Sequence, residues 1–99
     1  MTKYVQILQQ DKFKVMYKQQ GINYIGLFGS AARGEETIKS DIDLLIDFDQ
    51  PKSLFDLAKV KLSIQDTLGK NVDLTLRGSI KKMLKPYIEN DLIAIYEKN

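Results

Sequence analysis

The segment Gly29-Ser30-Ala31-Ala32-Arg33-Gly34-Glu35-Glu36-Thr37-Ile38-Lys39-Ser40-Asp41-Ile42-Asp43 lies between two apolar runs. Upstream, residues 22–28 (Ile22, Asn23, Tyr24, Ile25, Gly26, Leu27, Phe28) read as a first strand. Downstream, residues 41–48 read as a second strand. Ile42, Leu44, Ile46 and Phe48 share one of its faces by the two-residue period. Asp41 and Asp43 then share the other face, about 6.5–7 Å apart along the chain. Two carboxylates about 5 Å apart repel by roughly 3 kcal/mol at an effective dielectric of about 20, so the placement predicts a cation that removes the repulsion.

A third strand is expected over residues 71–76, with Val72, Leu74 and Leu76 on its apolar face and Asp73 and Thr75 opposite. If the second and third strands are neighbours, Asp73 joins Asp41 and Asp43 on one surface. The chain has no histidine and no cysteine. That excludes Ser-His-Asp and Cys-His catalysis, disulfide scaffolds and thiolate zinc sites. A metal here must be held by oxygen, which suits Mg²⁺ or Mn²⁺, with Ca²⁺ as the other oxygen-bound ion. In two-metal phosphoryl chemistry such ions stabilise the attacking and leaving oxygens. Gly29 lets a phosphate approach the backbone, and Ser30 is a candidate N-cap where free N–H groups bind anions. Arg33, three residues on, shares a helical face with Ser30 and is placed to steady a triphosphate or departing pyrophosphate.

Each of these residues has a plain structural explanation when taken singly. Asp41 and Asp73 suit a strand edge, Gly29-Ser30 a turn, Arg33 a surface charge. Asp47 and Asp49 keep the phase of Asp41 and read as the solvated end of the strand. The joint pattern is rarer: Gly-Ser followed at one set spacing by Asp-x-Asp arises by chance on the order of once in a thousand such chains.

Around this centre, residues 2–20 read as helix broken near Gln10–Asp11, with Gly21 as a stop. Residues 54–68 read as a helix capped by Ser53 and ended by Gly69. Residues 79–91 read as one or two short helices around Pro86, and 93–96 as a closing fourth strand. The mixture predicts an α+β (two-layer α/β) unit, a short mixed sheet on helices. The 99 residues fit one domain, 1–99, and not two. Fifteen basic against 13 acidic residues leave a net charge of +2, too small to mark a nucleic-acid binder. No apolar run is long enough to span a membrane and the first residues carry no signal-peptide pattern, so the expected location is cytoplasmic. Gly69-Lys70 lacks the upstream glycine of a P-loop. Asp41–Lys52 has Ile46 where an EF-hand needs Gly. Gly26-Leu27-Phe28-Gly29 is no dinucleotide fingerprint. Lys81, Lys82 and Lys85 read as a solvated helix face.

The text Leu27-Phe28-Gly29-Ser30-Ala31-Ala32-Arg33-Gly34-Glu35, then Ser40-Asp41-Ile42-Asp43-Leu44-Leu45-Ile46, then Gly69-Lys70-Asn71-Val72-Asp73-Leu74 resembles the nucleotidyltransferase superfamily. More closely it resembles the minimal nucleotidyltransferases, the MNT group of MntA-like antitoxins, over essentially the whole chain. The resemblance implies a polymerase-β-like fold and transfer of AMP from ATP to a hydroxyl with release of pyrophosphate. It implies Mg²⁺ on Asp41, Asp43 and Asp73, with Asp73 also taking the acceptor proton. Gly29 and Ser30 would hold the triphosphate and Arg33 would assist. It further implies a HEPN toxin as partner, modified on a tyrosine. Two other readings stay open at the sequence level. One is a non-catalytic antitoxin that neutralises by binding. The other is a small-molecule, antibiotic-type transferase, which would ordinarily carry a second domain. A homo- or hetero-oligomer is compatible with a small exposed sheet.

Overall fold

A computed structural model describes residues 2–98. In chain order the elements are α1 (Lys3–Leu8), α2 (Asp11–Gln19), β1 (Ile22–Phe28), α3 (Gly29–Arg33), β2 (Ile42–Phe48), α4 (Leu54–Leu68), β3 (Val72–Leu76), a 3-10 turn (Arg77–Ser79), α5 (Lys85–Asp91) and β4 (Ile93–Glu97). The strands form one sheet in the order β3-β2-β1-β4. β1 runs antiparallel to β2 and to β4, and β2 runs parallel to β3. Parallel neighbours need a long crossover, and α4 supplies it. This mixed sheet with helices is the expected α+β architecture.

The apolar period of β2 decides which face takes the helices. Ile42, Leu44 and Ile46 are fully buried in one cluster with Tyr4, Val5 and Leu8 of α1, Phe13 and Tyr17 of α2, and Val60 and Ile64 of α4. β1 contributes Ile22, Ile25 and Leu27, an uneven spacing for a strand. A bulge accounts for it. Ile22 pairs with Phe48 and Tyr24 with Asp47, so Asn23 is an extra residue and the alternation flips there. The opposite face carries Tyr24 and Leu45, both buried, and Leu92 leans over Gly26 beside them. Asp43, Asp47, Asp73 and Thr75 share this second face by strand period.

The helix ends follow their local chemistry. Ser53 and Asp56 form a reciprocal capping box at the start of α4, and Gly69 ends it in the left-handed conformation. The break expected near Gln10–Asp11 falls at Gln9–Gln10. Of the 79–91 region only Lys85–Asp91 is α-helical, with Pro86 in its first turn, where a missing N–H costs nothing. No helix among the described residues is long and apolar enough to cross a membrane.

Tyr17 joins the two N-terminal helices. Its ring is fully buried, 5.1 Å from the Tyr96 ring centroid, and its hydroxyl donates to the Leu8 carbonyl at 2.8 Å. Burial pushes the phenol pKa well up, so the hydroxyl stays a donor. That carbonyl belongs to the last turn of α1 and has no helical partner. Tyr17→Phe keeps the ring and orphans the carbonyl. We expect a loss of about 1–3 kcal/mol, read as a lower urea midpoint at unchanged slope.

Candidate active site

Three strand ends build the site. The β1–β2 register sets Phe28 beside Asp43, and the β2–β3 register sets Asp43 beside Asp73. In a parallel ladder, paired residues point to the same face. Asp43 and Asp73 therefore stand side by side, as the strand phases predicted. Asp41 lies one residue ahead of β2 and is exposed, as is Asp73, while Asp43 is half-buried. Asp47 is half-buried farther along β2 and Asp49 lies just beyond its end, away from this group.

Gly29 closes the site from above. Phe28 is fully extended, Gly29 takes φ +74°, and α3 begins at once. A side chain at Gly29 would overlap the Asp43 carboxylate, with Cβ only 3.2 Å from its carboxyl carbon. The turn thus brings bare backbone against the acid.

Ser30 is not the helix cap that the sequence suggested. The capping position is Phe28, without a side-chain cap, and Ser30 sits inside the first turn. The cap lies two residues earlier than expected, and the left-handed Gly29 turns the chain directly from β1 into α3. Arg33 has two acidic partners that the sequence did not show. Its Nε donates to Glu35 at 3.1 Å and its Nη1 to Asp91 of α5 at 2.5 Å. It fastens α3 to α5 rather than reaching freely over the carboxylates, although its charge is still felt at Asp43.

Electrostatics single out Asp43. Its carboxyl is pushed above the usual carboxylate range by burial first, then by Asp73 and Asp41, with Arg33 opposing. Among the described residues no three acidic side chains close to the spacing that one cation needs. The chemistry of the donors nonetheless suits a hard divalent ion: carboxylates of Asp43 and Asp73 on paired strand positions, Asp41 near enough for its charge to raise Asp43, and a chain without histidine or cysteine.

Some neighbours were not legible in advance. An open cavity of about 890 Å³ lies beside Asp41, lined by Tyr4, Glu36, Lys39, Gln65 and Lys70 among others. Lys70 donates to the Thr37 carbonyl at 3.1 Å and lies 5.7 Å from the Tyr4 ring centroid, holding the loop that leads to Asp41. Thr75 shares the face of Asp73 and lines a smaller groove of about 430 Å³ against α4. Its two-residue distance from Asp73 was the available signal.

Comparison with known proteins gives a consistent picture. The family description of a nucleotidyltransferase domain matches residues 10–95. A Methanocaldococcus jannaschii protein named as a candidate protein adenylyltransferase, MJ0435, is 39% identical over 77 residues, which span 78% of this chain and 83% of that one. A solved structure of a candidate minimal nucleotidyltransferase matches with TM-score 0.76 at 28% identity, covering 94% of this chain and 95% of the other. The fold alone is shared, at 18% identity and TM-score 0.66, with a chain from the complex of tri-AMPylated Shewanella oneidensis HEPN toxin with MNT antitoxin. That match covers 94% of this chain and 73% of the other.

Proposed function

The chain belongs to the nucleotidyltransferase domain family, and from that membership we propose that it transfers AMP from ATP to a tyrosine of a HEPN toxin, which it thereby neutralises. The observation that carries the reading is the side-by-side placement of Asp43 and Asp73 under the Gly29 backbone. Relatives that carry the name of protein adenylyltransferases, and a similar fold found in a complex with an AMPylated toxin, support it.

Asp41, Asp43 and Asp73 would hold Mg²⁺, with Mn²⁺ as its substitute. When bound, the ion supplies positive charge to the α-phosphate and the leaving pyrophosphate. The chain's own groups do the rest. The Gly29-Ser30 turn admits the triphosphate to the backbone. Arg33, anchored by Glu35 and Asp91, contributes long-range positive charge at the mouth of the site. Asp73, exposed beside Asp43, takes the proton of the acceptor hydroxyl. The acceptor oxygen bonds to the α-phosphorus as the bond to the bridging oxygen breaks, and pyrophosphate leaves with that electron pair.

The test is incubation with the candidate HEPN partner, Mg²⁺ and ATP labelled at the α-phosphate. We expect labelled protein whose modified residue, located by mass spectrometry, is a tyrosine. Loss of toxin activity should track the labelling. Neutralisation with no label would replace this reading with inhibition by binding alone. Labelling of aminoglycosides or other small hydroxyl compounds in place of protein would move the acceptor to that class.

A further inference from the structure

β3 is an edge strand of the sheet, and its outer side is open beyond Val72. In the β2–β3 ladder Ile42 N–H donates to the Asn71 carbonyl at 2.9 Å, so the backbone groups of residues 71, 73 and 75 point toward β2. Those of Val72, Leu74 and Leu76 point away from the sheet. Val72 N–H is taken by the Gln65 side chain at 2.9 Å, which confirms the phase. Among the described residues, Leu74 N–H, Leu76 N–H and the carbonyls of Val72 and Leu74 have no partner. An unpaired strand edge is a template for another strand.

The opposite edge of the sheet is guarded differently. β4 pairs with β1 through a register shift, the Gln9 side chain donates to its Ile95 carbonyl at 3.4 Å, and Glu97 is exposed at its end. The β3 edge has no bulge, no proline and no lysine in its strand. A groove of about 430 Å³ runs along it, floored by Leu57 and Ala58 of α4. Next to that groove α4 exposes an apolar stripe: Leu54 is 84% exposed, Phe55 81% and Leu62 57%.

We propose that β3 pairs antiparallel with β3 of a second copy about a two-fold axis at Leu74, joining two sheets into one of eight strands. The available groups match under that operation. Leu74 N–H and carbonyl meet those of the partner's Leu74, and Leu76 N–H meets the carbonyl of the partner's Val72, with the reciprocal bond by symmetry. Side chains match as well. Leu74 meets its symmetry mate on the helix side. On the site side Asp73 faces the partner's Thr75, a carboxylate opposite a hydroxyl, in a non-bonded pair with Cα atoms about 4.5 Å apart. The axis stands perpendicular to the sheet, so both α4 stripes fall on one face and both active sites on the other. Leu54, Phe55 and Leu62 together offer on the order of 400 Å² per copy, about half of what a standard interface buries, with the strand edge adding to it. A hydroxyl from the partner thus completes the surroundings of each Asp73.

Sedimentation of the chain alone at about 10 µM, where a micromolar or tighter interface is populated, should give a dimer. Amide exchange at Leu74 and Leu76 should slow as the dimer forms. Phe55→Lys with Leu62→Lys, both surface changes, should give a monomer with unchanged circular dichroism and fast exchange at both amides. Thr75→Asp, which sets like charges against the partner's Asp73, should weaken the dimer about tenfold, whereas Thr75→Lys should not. A chain that stays monomeric at about 100 µM overturns the proposal. So does a dimer whose Leu74 and Leu76 amides exchange as in the monomer, a dimer indifferent to both Thr75 changes, or protection of these amides only when a different protein is added. None of these readings requires the enzyme to turn over.

Discussion

Asp43→Asn should cut nucleotidyl transfer by at least about 10²–10³-fold, the scale for losing one charge contact made in the transition state. In the same protein it should raise the melting temperature when divalent ions are absent. The two effects have one origin. Asp43 is half-buried beside Asp73 and Asp41, and its carboxyl is raised above the ordinary range by burial and by those charges. The folded state therefore holds the Asp43 proton more tightly than the unfolded chain does. The stability this contributes is fully present below the ordinary carboxylate pKa and is lost as pH rises through the raised folded value. Wherever Asp43 is ionised the wild type bears the cost of that charge, and asparagine does not. The melting difference between the two should shrink on acidification below the ordinary carboxylate range. Mg²⁺ should reverse the order at neutral pH, because ligand at about a hundred times its Kd stabilises the binding-competent protein by about 2.7 kcal/mol. Thermal scans of both proteins, with Mg²⁺ and with chelator, test this at two pH values. Equal transfer rates, or a less stable asparagine variant in chelator, would overturn the placement of Asp43.

How much of this was readable before the fold was known depends on the range of the interaction. Helix α4 could be bounded from its own residues, since Ser53, Asp56 and Gly69 settle its ends locally. The position of Asp43 on the face opposite Ile42, Leu44 and Ile46 followed from strand period alone. Placing Asp73 beside it required β2 and β3 to be neighbours in one register, which the phases allow but do not dictate. The anchoring of Arg33 was not legible because its partner, Asp91, lies 58 residues away on a helix whose position is set by packing. Ser30 was misplaced by two positions because Gly29 adopts a left-handed conformation that a Gly-Ser pair does not announce. The bulge at Asn23 was equally silent: residues 22–28 look like a plain apolar run, and only pairing with β2 shows the extra residue.

Gly29 and Gly34 offer a controlled comparison within one turn and its helix. Their φ angles are +74° and +73°, so alanine at either position meets the same backbone penalty, about 1–2 kcal/mol for an L-residue in the left-handed region. They differ in what a Cβ would touch. At Gly34 nothing lies within 4 Å, while at Gly29 the Asp43 carboxylate occupies the space. Gly34→Ala should therefore lower stability by about the backbone cost alone and leave transfer close to wild type. Gly29→Ala must also move Asp43, whose displacement carries it away from the face it shares with Asp73. A shift of about 1 Å in a reacting constellation can cost about a hundredfold in rate, and that is the loss expected beyond what instability explains. Paired measurements of unfolding and of transfer under saturating Mg²⁺ and ATP separate the two contributions. If both alanine variants lose stability and activity in parallel, backbone strain is the whole effect and Gly29 has no part in positioning the acid. If the stabilities fall together and only Gly29→Ala loses transfer, the glycine is there to leave room for the Asp43 carboxylate.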